Sequence, residues 1–125
     1  MISSTNPILS VVLIVTGVAF LLLYPVMMVF PASWTWEPRQ YEYEQMLIGV
    51  YFVLGIFAII AAGNPLKHLG LIWFIALSNI VHGGIMLVQA LIDPVEYPNL
   101  YGDVPALIIS GVLIAILAPK RLAAD

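Results

Sequence analysis

Four polar residues of one apolar stretch, Ser78, His82, Gln89 and Asp93, are spaced by 4, 7 and 4 positions. At about 100° per residue they fall within a helical stripe of roughly 80°, and Asn79 sits beside it. His82 brings the most chemistry. A neutral imidazole donates from one ring nitrogen and accepts at the other, and it can also carry a proton. The residue lies about 21 Å along a helix axis from His68, at about 1.5 Å per residue. That depth is near the middle of a bilayer, where an ionisable group is a functional-site hypothesis by default. The plainer reading is structural. His82 would then donate a single hydrogen bond to a carbonyl or hydroxyl of a neighbouring helix and hold the helices together.

A second polar face carries Tyr41, Glu44 and Tyr51 in line with Gly55. Glu44 stands just outside an apolar core. As an interfacial carboxylate it would pair with Arg39 or bond to Tyr101; as a functional group it would line the outer mouth of a cavity floored by His82. Asp103, just before Val104-Pro105, reads as a helix cap, because a carboxylate accepts free backbone N–H groups at a helix start. Met27, Met28, Met46 and Met86 read as packing residues.

Several chemistries are set aside. There is no cysteine, so disulfides, thiolate catalysis and cysteine-ligated metals are excluded. Di-iron bundles need Glu-x-x-His pairs on facing helices, and none occurs. A zinc site needs three or four clustered ligands, whereas His68 and His82 lie at opposite depths. Bis-histidine haem would require His82 from two copies. No P-loop and no GxGxxG is present. No metal and no cofactor is expected. Net charge is −3 with no basic cluster, which argues against nucleic acid as a partner.

The elements that would position these residues follow from composition. The 125 residues are 62% hydrophobic and 9% charged, against about a quarter charged in a soluble domain. Too little polar surface remains to cover a water-facing globule. A membrane helix needs roughly 20 apolar residues, and four spans are expected, at about 8–30, 44–62, 68–92 and 104–118, forming one domain over 1–125. Asn6-Pro7 starts the first, and Pro25 should bend it. With no positive n-region and a long apolar stretch, this first span is not expected to be a cleaved signal peptide. Asn64-Pro65 ends the second span, Asp93-Pro94 the third, and Pro119 the fourth.

Lys67, Lys120 and Arg121 fall on one side of these spans, against Arg39 alone on the other. Lys and Arg concentrate in cytoplasmic loops. Both termini are therefore assigned to the cytoplasm, in a multi-pass protein of the inner (plasma) membrane. The two outer loops carry the acids Glu37, Glu42, Glu44, Asp93, Glu96 and Asp103. They also carry Trp34, Trp36, Tyr41, Tyr43, Tyr97 and Tyr101, an aromatic belt. The fold class is all-α, an integral membrane four-helix bundle. Small residues line two helix faces, Gly55, Ala58 and Ala62 on span two and Ala76, Gly83 and Ala90 on span three. Such faces suit close helix contact. The short Gly63–Lys67 turn makes spans two and three an antiparallel hairpin.

The stretches MLIGVYFVL (46–54), NPLKHLGLIWF (64–74), SNIVHGGIMLVQ (78–89) and GDVPAL (102–107) resemble an uncharacterised family of small bacterial four-span integral membrane proteins, classed as a domain of unknown function. The resemblance covers about 75 residues from span two onward. It implies the architecture and no reaction. A looser likeness to DoxX-like four-helix proteins rests on size and span pattern. Small multidrug transporters share the size, but they use an acidic residue in the first span, and this one offers only Thr16 and Tyr24. Small fluoride channels share it too, but their dual topology does not fit the charge bias.

Three functions compete. The first, favoured at this point, is a non-enzymatic accessory or assembly subunit that packs against other membrane subunits or itself. The second is a binding or transport module for a small hydrophobic ligand, using His82, Ser78, Asn79, Gln89, Glu44 and Tyr51. The third is an acid–base enzyme built on His82 and Glu44, which their depth difference of about 10 Å at helical rise disfavours.

Overall fold

The computed structural model describes residues 6–30 and 40–120. The expected loop residues Trp34, Trp36, Glu37 and Arg39, and Arg121 of the tail, lie outside them. Among the described residues every regular element is helical.

Helix α1 (Pro7–Leu21) begins where the local chemistry says it should. Asn6 Oδ1 accepts from the Ile8 N–H at 3.0 Å, and Pro7 occupies the first helical position, where a missing N–H costs nothing. Helix α2 (Leu23–Val29) continues the chain after a bend of 50°. The cause is Pro25. It offers no N–H to the Leu21 carbonyl and its ring crowds that group, so the bend falls at Leu22, between the two helices. Helix α3 (Tyr41–Gly63) is unbroken and stops at Asn64, which is followed by a single 3₁₀ turn, Pro65–His68. Helix α4 (Leu69–Ile92) ends at Asp93, whose carboxylate accepts from the Val95 N–H at 3.0 Å. A 3₁₀ segment (Pro94–Tyr101) then leads into α5 (Asp103–Leu117) at an angle of 45°.

Two helices, α3 and the 65–92 segment containing α4, are long and apolar enough to cross a membrane, and four spans result if each bent pair counts as one. Large apolar side chains such as Val11, Val15, Val50, Phe52, Val53, Phe74, Val81 and Ile116 stand exposed on the outside. In water this would be a severe liability; in lipid it is the ordinary outer surface of a membrane protein.

The tightest packing joins α1 to α3 and α4 to α5; α1 also touches α5, while α3 and α4 touch lightly despite their short connection. The expected 63–67 turn is present, but the small-residue faces serve other partners. A β-carbon on Gly17 would lie 2.7 Å from the Gly55 carbonyl oxygen, and one on Gly55 would lie 2.7 Å from that of Gly17. The α1 and α3 backbones therefore touch. On the other side, a β-carbon on Gly111 would lie 2.7 Å from the Ala76 carbonyl oxygen. Lipid tails are as apolar as leucine, so close approach of this kind is what holds membrane helices together.

The fully apolar core gathers at the end that holds the start of α1 and the 64–68 turn. Leu9, Leu13, Ala58, Ala61, Ile72, Ile75, Ala76 and Ile114 are completely buried there. The opposite end, formed by the starts of α3 and α5 and the 93–102 connection, has no comparable apolar cluster among the described residues.

Valine at Gly55 or Gly111 is expected to cost about 1–3 kcal/mol of stability through overpacking, read by titrating the micelle-embedded protein with a denaturing detergent. Gly49 has open space around it, so Gly49→Val is the control. An equal loss at Gly49 would assign the effect to backbone propensity instead of the helix crossings.

Candidate functional site

The Gly17–Gly55 contact sets the position of everything above it. Tyr51 is one turn from Gly55 on the same face of α3, toward the loop end. Phe20 is about one turn from Gly17 on α1. Their rings meet with centroids 4.9 Å apart and planes tilted by 59°, a favourable aromatic geometry. On α4, Gly83 does the equivalent work. A β-carbon there would lie 2.7 Å from Ile108 Cγ1 and 3.1 Å from Leu107 Cβ, so α5 presses directly against this turn. His82, the next residue back, is rotated toward α3. Its Nδ1 is hydrogen-bonded to the Tyr51 hydroxyl, and the two rings lie 5.6 Å apart. The bond ties the α1–α3 pair to the α4–α5 pair where α3 and α4 have little other contact.

Two carboxylates attend this bridge. Asp103, the first residue of α5, is half-buried and close enough to Tyr51 to act on it electrostatically. Glu44 is buried, 4% exposed, and points inward from the face that carries Tyr51 two turns further along. That places it about 10 Å from Tyr51 along the helix axis. Of the described charges, Glu42, Glu44, Asp93, Glu96 and Asp103 are at the loop end, and Lys67 and Lys120 are at the other.

The polar stripe of α4 does not act as one site. Ser78 is half-buried and its Oγ donates to the Ile75 carbonyl of its own helix at 3.2 Å. Gln89 is exposed, and Asp93 caps the following 3₁₀ segment. Asn79 is completely buried on the α5 side. Its Nδ2 donates to Ser110 Oγ at 3.0 Å, and Ser110 Oγ donates to the Leu107 carbonyl at 3.1 Å. Asn79 Oδ1 has no partner among the described residues. Of the six candidates, then, Tyr51 and His82 are joined, Glu44 shares the Tyr51 face, Asn79 serves a separate crossing, and Ser78 and Gln89 belong to neither.

Three contributors were not singled out as site residues in the sequence. Asp103 reads as a cap, yet Gly102 occupies the N-cap position and Asp103 is the first helical residue. Its half-burial depends on how α5 leans on α4, which a single sequence does not encode. Phe20 and Ser110 look like ordinary residues of apolar spans. The signal available was the spacing of each from a glycine, Phe20 from Gly17 and Ser110 next to Gly111.

A shallow groove of about 320 Å³ opens between α1 and α5, walled by Val11, Val15, Ile109 and Leu113, with Thr16 and Ser110 in its lining. It is almost wholly apolar and lies apart from the Tyr51–His82 bridge.

The chain belongs to a family of unknown function, DUF6632, whose model matches residues 3–123. The match takes in α1 as well as the stretches from span two onward, and it agrees with the expectation of an uncharacterised family. No curated protein and no solved structure matches the chain at a significant level.

The two polar crossings differ in what they should contribute to stability. Tyr51→Phe removes the Tyr51–His82 tie between α3 and α4 and is expected to cost about 0.6 kcal/mol, the average for such bonds in membranes, and at most about 1.7 kcal/mol. Asn79→Leu combined with Ser110→Ala removes a half-satisfied pair together with its orphaned oxygen, and is expected to be nearly neutral. Unfolding in mixed micelles checks both. A double variant less stable than Tyr51→Phe would reverse the ranking.

Proposed function

We propose that this member of DUF6632 is a membrane-embedded binding module for a small ligand with an apolar body and a single polar head. The head is received at Tyr51 and His82, with Asp103 nearby and Glu44 about two turns away on the same face of α3. The observation that supports this most directly is the Tyr51–His82 pair itself. It is a hydroxyl–imidazole couple that stands outside the apolar core, which gathers at the other end of the bundle. Apolar walls with a few convergent polar groups are the usual make-up of a small-molecule site, and an intramembrane histidine is a functional candidate by default.

The setting is a four-helix bundle in the plasma membrane with both ends in the cytoplasm. Lys67 and Lys120 at one end and the described acids at the other support that orientation, since basic residues favour the cytoplasmic side. The polar site then sits in the outer half of the membrane, and a ligand dissolved in lipid can reach it laterally.

The accessory-subunit reading was motivated partly by small-residue faces offered to a partner. Those faces are used within the chain, by Gly17 against Gly55 and by Gly111 and Gly83 against their neighbours. An acid–base enzyme would need Glu44 and His82 at one substrate atom. The two turns between Glu44 and Tyr51, about 10 Å, argue against it.

Native mass spectrometry of the protein released gently from its own membrane tests the proposal. A small molecule is expected on the wild type and should be lost from His82→Ala, and reduced in Tyr51→Phe. A stoichiometric protein partner retained by all three forms, with no small molecule on any, would replace this reading with the accessory-subunit one.

A further inference from the structure

The hydrogen bond between Tyr51 and His82 constrains where the imidazole proton resides. A phenol has one proton to donate, and a neutral imidazole has one N–H and one bare nitrogen. The Tyr51 hydroxyl has no hydrogen-bond partner other than His82 Nδ1 among the described residues. If Nδ1 were the donor, the phenol proton would be left without an acceptor in half-buried, apolar surroundings, which is the costly arrangement. The phenol is therefore the donor and Nδ1 the acceptor. The ring proton is on Nε2, since the bond at one nitrogen fixes the tautomer at the other.

Nε2–H in turn has no partner among the described residues. Nor is it sealed in, because the one buried side-chain nitrogen or oxygen there without a partner is Asn79 Oδ1. His82 thus presents a fixed donor, not fully enclosed, near the middle of an apolar helix. The charges around it narrow what can accept from it. Asp103 is within electrostatic reach of Tyr51, and Glu44 looks inward from the same face of α3. An anionic head would face the Asp103 carboxylate. An ammonium has no lone pair for an N–H donor. A neutral oxygen acceptor satisfies the donor without either penalty.

We propose that His82 Nε2–H is the recognition donor of the site, and that the ligand class is a neutral apolar molecule headed by a carbonyl oxygen. This rests on the binding-module reading above and names the chemistry that module selects. The Tyr51 hydroxyl acts as a positioning group. It holds the imidazole in the tautomer that donates and has no need to touch the ligand.

The test uses the full chain in lipid nanodiscs with ¹⁵N-labelled histidine. His68, at the other end of the helix, serves as an internal reference. His82 is expected to show a protonated Nε2 and a bare, hydrogen-bonded Nδ1. Three probes of equal length, 2-undecanone, undecanoate and undecylamine, are then titrated. The ketone is expected to shift the Nε2 signal and to bind at least about tenfold more tightly than the other two, since an ammonium cannot accept from the Nε2–H and a carboxylate, which can, is opposed by Asp103. Tyr51→Phe should mix the tautomers and lose most of that preference. His82→Gln, which keeps an amide donor, should retain part of the ketone affinity that His82→Leu loses; if one variant fails to fold, the other still reports.

A protonated Nδ1 with a bare Nε2 in the wild type would overturn the inference, whatever binds. Preference for the amine or the carboxylate would overturn the ligand class while leaving the binding module intact. No response at His82 to any probe, with no co-purifying small molecule, would overturn both.

Discussion

Backbone contact between Gly17 and Gly55 is the constraint on which the rest of the molecule depends. With a carbonyl oxygen 2.7 Å from where each β-carbon would be, a side chain at either position would force the backbones apart, and α1 and α3 are in direct backbone contact. Closeness has to do this work because no hydrophobic force drives helices together once they are already in lipid. The consequence extends along the helices. It fixes Phe20 against Tyr51 on one side of the crossing and the Leu9, Leu13, Ala58 and Ala61 cluster on the other. The α4–α5 pair repeats the solution with Gly83 and Gly111. Two stiff pairs result, and the question for the fold becomes what joins them.

They are joined differently at their two ends. At the end with the 64–68 turn, the joint is apolar, with Ile72, Ile75 and Ile114 filling the space against α1 and α3. At the other end the joint is a hydrogen bond between Tyr51 and His82. An apolar joint gains with every atom added, so it closes. A single polar joint holds two helices at one point only. The 50° bend at Leu22 adds to this asymmetry. It carries α2, which has no buried residue, away from the axis of α1 on the same side as the polar joint.

Much of this was legible from the residues. Long apolar runs punctuated by Asn6-Pro7, Asn64-Pro65 and Asp93-Pro94 gave helices within a few positions of those observed, because capping and proline geometry are local. Pro25 announced its bend for the same reason. The helical period put Glu44, Tyr51 and Gly55 on one inward face, whereas Tyr41, read onto the same face, stands exposed. His82 does meet a hydroxyl of a neighbouring helix, that of Tyr51, but as the acceptor inferred above and not as the donor expected of a glue residue. What a single sequence withheld was partnership. Gly55, Ala76 and Gly83 declare that something comes close without saying what. The short turn makes α3 and α4 an antiparallel hairpin but does not say how closely they pack, and each packs more closely on its other neighbour. The α4 stripe failed as a unit for a related cause. Residues within 80° of one another still face different helices when a neighbour on each side competes for them, and so Asn79 turns to α5 while His82 turns to α3.

Asn79 and His82 show why burial alone does not identify a site. Asn79 is the more deeply buried and the less satisfied of the two, with one amide oxygen unpaired. It is nonetheless completely buried and committed to Ser110 across the α4–α5 crossing. His82 is half-buried and makes a complete bond through one nitrogen. A histidine used only as glue needs nothing more, and a glutamine or asparagine would serve there equally well, at lower cost in a position this deep. An imidazole differs from an amide because a bond at one nitrogen determines the state of the other. The phenol donates the hydrogen bond, Nδ1 accepts it, and Nε2 carries the ring's own proton. The bond that holds the two helix pairs together is then the same bond that prepares the donor, so packing and recognition at this position share a single cause.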